Sequence, residues 1–165
     1  MVDACLRISD DCSIGPFGPI GTWDVSRVTN MHGIFYNSRF DGDISNWDVS
    51  QVTDMSYMFA WTAAFNGDIS TWNVARVLDM RGMFASAAAY NGDISTWNVA
   101  RVADMRTMFN SAKSFKRSLC GAAWFNLQAD TTDMFYGSSG SISKSPCTTT
   151  TTTTGTSVDS VLPVC

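Results

Sequence analysis

Residues 92–109 read Gly92-Asp93-Ile94-Ser95-Thr96-Trp97-Asn98-Val99-Ala100-Arg101-Val102-Ala103-Asp104-Met105-Arg106-Thr107-Met108-Phe109. The line from Ile94 to Met105 recurs, almost without gaps, from Ile20 to Met31, from Ile44 to Met55 and from Ile69 to Met80. Tryptophan marks the period, at Trp23, Trp47, Trp72 and Trp97, with steps of 24, 25 and 25 residues. Each unit runs on into Ile34-Phe35, Met58-Phe59, Met83-Phe84 or Met108-Phe109, then an aromatic at Phe40, Phe65, Tyr90 or Phe115. A fifth, degraded copy has Leu119 in the isoleucine slot, Trp124 two residues late, and Asp133-Met134-Phe135. A self-similar period of this length is the mark of stacked units, and an atypical last copy suits a stack's final face.

Inside a unit the local pattern changes. Residues 42–47, 67–72 and 92–97 are apolar near period two and bounded by glycine, which predicts a short strand. From Thr53 to Phe59 the apolar residues Val52, Met55, Met58 and Phe59 have helical spacing, with Asp54 placed to cap the first turn. One strand and one helical arc cannot fold alone, so the expectation is an α/β repeat solenoid of about five coils. Its parallel strands would lie about 4.8 Å apart, with each Trp stacked on the next. The expected core is Trp23, Trp47, Trp72 and Trp97 with Met55, Met80, Met105, Phe59, Phe84 and Phe109. Eight of nine methionines fall in the arc, a packing pattern rather than a set of copper ligands.

Composition narrows the function. All 15 acidic residues are Asp, and the absence of Glu argues against long solvated helices. A net charge of -4, with 11 scattered Lys and Arg, gives no basic face for nucleic acid. The single histidine, His32, removes most zinc chemistry and leaves one possible base for a Ser-His or Cys-His arrangement. No stretch reaches the roughly 20 apolar residues of a membrane helix, and no signal peptide is visible, so the chain is expected to be either a mature or partial product or one that is not exported.

The five cysteines, Cys5, Cys12, Cys120, Cys147 and Cys165, lie near the ends without CxxC spacing, as disulfide staples in an extracellular setting would. With one left over, fifteen pairings are open. Residues 1–15 form a Cys-bearing N-terminal cap, 16–136 the repeats, and 137–165 a Ser/Thr-rich tail with seven threonines from Thr148 to Thr154, expected to be extended and open to O-glycosylation.

The line Val52-Thr53-Asp54-Met55-Ser56-Tyr57-Met58-Phe59, with Asn66-Gly67-Asp68-Ile69-Ser70-Thr71-Trp72-Asn73-Val74 after it, resembles the repeat of BspA-like leucine-rich-repeat surface proteins over roughly residues 16–136. The resemblance implies a leucine-rich-repeat solenoid, exposure at a cell surface, and adhesion or binding to proteins or matrix. It supplies a class and no ligand.

Candidate site residues follow from the expected strands. With Ile44, Ile69 and Ile94 inward, Asp43, Asp68 and Asp93 stack outward beside Ser45, Ser70 and Ser95. Such carboxylates repel by roughly 1 kcal/mol in water, offset by a cation or basic partner or by backbone amides. Calcium wants six to eight oxygens, so a calcium site there would be weak. Asp54, Asp79 and Asp104 read as caps, with Arg27, Arg76 and Arg101 in solvated pairs. Tyr57 and Trp61 break the repeat and are either exposed interface anchors or partly buried packing residues. The Thr22, Thr71 and Thr96 column is a short echo of ice-binding hydroxyl arrays.

Together these readings predict a non-enzymatic extracellular module that binds a protein or glycan through a strand-lined face, with no metal and no catalytic residue. The alternative is a structural coat or wall protein cross-linked through cysteines.

Overall fold

The structure, a computed structural model, describes residues 2–14, 17–145 and 147. Regular elements are few among them. A helix α1 spans Val2–Leu6, a 3-10 turn Ile20–Thr22, a strand β1 Ser118–Leu119, a helix α2 Ala122–Phe125 and a strand β2 Ser141–Ile142. β1 and β2 pair in parallel, Ser118 with Ser141 and Leu119 with Ile142.

The α/β leucine-rich-repeat solenoid of about five coils is therefore corrected: its strands at 42–47, 67–72 and 92–97 and its helical arc from Thr53 to Phe59 do not form. The reason is local hydrogen bonding. Asp43, Asp68 and Asp93 accept the backbone N–H of Ser45, Ser70 and Ser95 at 2.9–3.0 Å, two residues on. The next N–H groups, of Trp47, Trp72 and Trp97, close turns onto the carbonyls of Ile44, Ile69 and Ile94. Amides that a strand would offer its neighbour are thus spent inside the turn.

The arc fails as a helix because left-handed residues interrupt it. Tyr57 and Trp61 have φ of 55° and 61°, and the equivalent positions Gly33 and Asn37, Gly82 and Ser86, Thr107 and Ser111, and Asp133 and Gly137 all lie between 52° and 73°. A right-handed helix cannot run through a left-handed residue every fourth position.

Those turns build a backbone ladder. The N–H groups of Met55, Tyr57, Phe59 and Trp61 donate to the carbonyls of Asp79, Arg81, Met83 and Ala85. The same four bonds join residues 31–37 to 54–60, 80–86 to 104–110, and 105–111 to 130–136, all between 2.7 and 3.0 Å. Isolated parallel bridges mark the ladder at Asn30, Asp54, Asp79, Asp104 and Asp130. Each interior segment donates to one neighbour and accepts from the other.

The core lies behind the ladder. Met55, Met80, Met105, Phe59, Phe84 and Phe109 are fully buried, and Trp47, Trp72 and Trp97 nearly so, while Trp23 is only partly buried. The expected Trp-on-Trp column is replaced by stacked phenyl rings. Phe35, Phe59, Phe84, Phe109 and Phe135 follow one another at 5.4–5.5 Å. Phe40, Phe65, Tyr90 and Phe115 form a second column beside it, at 3.8–4.1 Å within each unit. Aromatic pairs of this kind contribute about 0.5–1.5 kcal/mol each beyond their burial.

The tryptophans act as cross-braces: the indole N–H groups of Trp47, Trp72, Trp97 and Trp124 donate to the carbonyls of Ile20, Ile44, Ile69 and Ile94 at 2.9–3.2 Å. Trp124 thereby fills the tryptophan slot of the degraded copy.

Two disulfides close the ends, Cys5 with Cys12 and Cys120 with Cys147. Cys165, the Thr148 to Thr154 tract and the glycosylation expected there lie outside the described residues. No described helix is long and apolar enough to cross a membrane.

Candidate binding surface

Exposed rings stand beside the turn ladder at Trp61 and Tyr36. Trp61 is 58% exposed and Tyr36 54%, and the backbones beside them are joined, since the Asn37 N–H donates to the Ala60 carbonyl at 2.9 Å. Trp61 leaves a segment hydrogen-bonded to both neighbours and Tyr36 a segment bonded to one, so both backbones are fixed before any partner arrives. Tyr57 is half-buried and lies over Gly82, where a Cβ would sit 2.5 Å from its ring. The Arg81 guanidinium caps that ring at 5.3 Å, and His32 meets it edge-on at 5.9 Å. His32, Gly33, Tyr36 and Tyr57 border an open groove of about 560 Å³.

His32 Nδ1 lies 2.7 Å from the Ser56 hydroxyl, whose oxygen is itself 2.6 Å from Asp54 Oδ1. A hydroxyl has one proton, and the carboxylate takes it, so the imidazole N–H donates to the Ser56 oxygen. Ser56 is buried at 2% exposure and bound on both sides, which suits a tether and not a nucleophile.

Asp43, Asp68 and Asp93 are exposed, and the serines beside them differ: Ser45 and Ser70 are partly buried and Ser95 is buried, its hydroxyl without a partner. The carboxylates face their own turns. Hydrogen bonds from the Ser45 and Ser70 amides and hydroxyls hold Asp43 and Asp68 below the usual carboxylate range. Asp43 borders a hollow against the cap residues Asp11 and Cys12, while Asp93 and Ser95 border another, of about 660 Å³, against Ala122 and Ala123. Asp43 and Asp93 thus border different hollows. Among the described residues no group of three or more His, Cys, Asp or Glu could hold a metal ion.

Asp54, Asp79, Asp104 and Asp130 stand next to one another along the ladder, each accepting the N–H two residues on. They cap turns and not the expected helix. Arg106 bridges Asp104 at 2.6 Å and Asp130 at 3.7 Å, and this pairing draws Asp104 below its ordinary pKa. Arg76 bonds Gln51 at 2.7 Å instead of pairing with Asp79.

Sequence reading missed Tyr36, Ser56 and Asp130. Tyr36 was legible as a departure, since its slot holds Ala60, Ala85 and Asn110 elsewhere. Asp130 was hidden by the longer spacing of the last copy, and Ser56 by its chemistry, which only the fold pairs with His32.

A protein-family model described as "Mycoplasma protein of unknown function, DUF285" matches residues 7–124. No curated protein and no solved structure matches the chain.

Proposed function

The chain belongs to the family described as Mycoplasma protein of unknown function, DUF285, and from that premise we propose that it is a non-enzymatic binding module of a cell surface or extracellular space, recognising a protein or glycan. The observation that carries this reading is the exposed Trp61 and Tyr36 pair on a backbone fixed by the ladder. Large rigid aromatics give contact area at little cost in ordering, which is why they anchor interfaces. Two disulfides suit an oxidising location, and the resemblance of the repeats to BspA-like surface proteins points the same way.

The test uses residues that the same slots already accept. Trp61→Ser copies Ser86 and Ser111, and Tyr36→Ala copies Ala60 and Ala85, so both variants should fold. On arrays of glycans and surface proteins the parent chain should give hits that both variants weaken by roughly tenfold or more. Binding untouched by either substitution, or no binding at all, sinks the reading.

The cysteine count favours a second reading. The chain has an odd number of cysteines, five, and the described bonds Cys5–Cys12 and Cys120–Cys147 take up four of them. A coat or wall protein linked between chains through Cys165 would run as a dimer on non-reducing electrophoresis and as a monomer after reduction. A monomer under both conditions removes it.

A further inference from the structure

The ladder ends unfilled on both sides, and the two ends match. In the last turn segment the N–H groups of Thr131, Asp133, Phe135 and Gly137 make no hydrogen bond among the described residues. These are the positions equivalent to Met105, Thr107, Phe109 and Ser111, whose N–H groups all donate. In the first segment the carbonyls of Asn30, His32, Ile34 and Tyr36 accept nothing among the described residues, although their equivalents Asp54, Ser56, Met58 and Ala60 all accept. Apart from half-buried Ile34 and Phe135, these eight residues are exposed. Four donors at one edge thus face outward in the spacing of four acceptors at the other.

An ordinary extended peptide does not fit this edge. Asp133 and Gly137 have φ of 55° and 73°, and Gly33 and Asn37 on the acceptor edge have 59° and 52°. A flat strand keeps its φ negative and loses register at the first left-handed residue. The surface that reproduces those turns is another copy of the same ladder. Side chains agree with that partner. Asp130, at the end of the acidic row, would meet Asn30, the one member of the row without a charge, and the Asn30 amide already donates to Asp54 at 3.2 Å. Tyr136 is 70% exposed and Tyr36 54%, in the slot that holds Ala60, Ala85 and Asn110 between them.

We propose that this chain self-associates head to tail, the donor edge 131–137 of one copy continuing the ladder onto the acceptor edge 30–36 of the next. The contact is heterologous and leaves a free edge at each end, so growth is open and does not stop at a dimer. It shares His32, Gly33 and Tyr36 with the aromatic groove and needs no bond through Cys165.

Sedimentation velocity of the full chain carrying Cys165→Ser, over a wide concentration range, tests it. The expected result is a series of species that lengthens with concentration. Thr131→Pro removes one donor that has no partner among the described residues. Asn30→Asp sets a charge against Asp130 of the neighbouring copy, while inside the chain it gives up the amide bond to Asp54 and repeats the Asp54 and Asp79 juxtaposition. Each should weaken association about three- to tenfold, and added salt should restore Asn30→Asp but not Thr131→Pro. Circular dichroism confirms the fold of each, and if Thr131→Pro fails to fold, the salt response of Asn30→Asp decides alone. A single species at every concentration overturns the proposal, as does a closed dimer or association indifferent to the folded variants.

Discussion

Tyr90 occupies the phenylalanine slot of the second aromatic column, and its hydroxyl is buried without a partner. Burial, with the Asp68 and Asp93 charges behind it, pushes the phenol far above its ordinary pKa, so it stays neutral. An orphaned buried hydroxyl costs about 1–3 kcal/mol, hence Tyr90→Phe should raise stability by about 1 kcal/mol in urea unfolding. Gly82 is constrained differently. Its left-handed φ is shared by Thr107 and Asp133, which tolerate side chains, but its Cβ would strike the Tyr57 ring. Gly82→Ala should therefore cost about 1–3 kcal/mol, and the double change Tyr57→Gly with Gly82→Ala should recover most of it. Equal losses in the single and double variants would show that the ring is not the obstacle.

The turn, not the strand or helix, is the repeated element, and its Asx hydrogen bond is the part most open to test. Asp79 Oδ1 accepts the Arg81 N–H at 2.8 Å, as Asn73 and Asn98 do for Ala75 and Ala100 in the neighbouring turns. Asp79→Asn keeps the acceptor and should be nearly neutral, whereas Asp79→Ala should cost about 1 kcal/mol by thermal or urea unfolding. Acid acts on the same element. Hydrogen bonds from Ser26, Ser50 and Thr132 hold Asp24, Asp48 and Asp130 below the carboxylate value of 3.8, and Arg106 does so for Asp104. Groups with depressed folded-state pKa values stabilise the fold above the unfolded value and lose that contribution as pH falls through the folded one. Stability should be flat from neutral pH to about 5 and decline below about 4, as read by tryptophan fluorescence against pH. A protein equally stable at pH 2 and pH 7 would refute this.

Across the molecule, the two disulfides hold the ends with unequal force. Cys120 and Cys147 are separated by 27 residues and tie β2 against β1, whereas Cys5 and Cys12 are separated by only 7. Closing the longer loop removes more entropy from the unfolded chain. Cys147→Ser should cost about 3–4 kcal/mol and Cys12→Ser about 2–3 kcal/mol in denaturant unfolding, with the first loss the larger. The order matters more than the values, and a reversed order would place the tail outside the cooperative unit. The ladder between these ends explains how units that could not fold singly do so together, since each segment's amides and rings are completed by the next.

Periodicity was legible in the sequence because each unit asks for the same residues: a short carboxylate to close a turn, Met and Phe to pack, and Trp to brace. The absence of Glu has its reason there too, since a longer side chain would not reach back to its own backbone as Asp43 and Asp104 do. Trp61 was readable as a departure from that pattern, with exposure and partial burial both open, and the end cysteines as disulfide staples. Which backbone the period would adopt was not, because period-two and helical spacing describe where apolar side chains point and say nothing of φ at Tyr57, Trp61 or Thr107. Gly33, Gly82 and Asn37 hinted at left-handed turns, yet other residues fill the same slots, held there by bonds to residues about 25 positions away. Those bonds exist only once the units are stacked, so tertiary contact decided for turns over strands and for phenyl columns over a tryptophan stack. It also left one edge of donors and one of acceptors open to another copy.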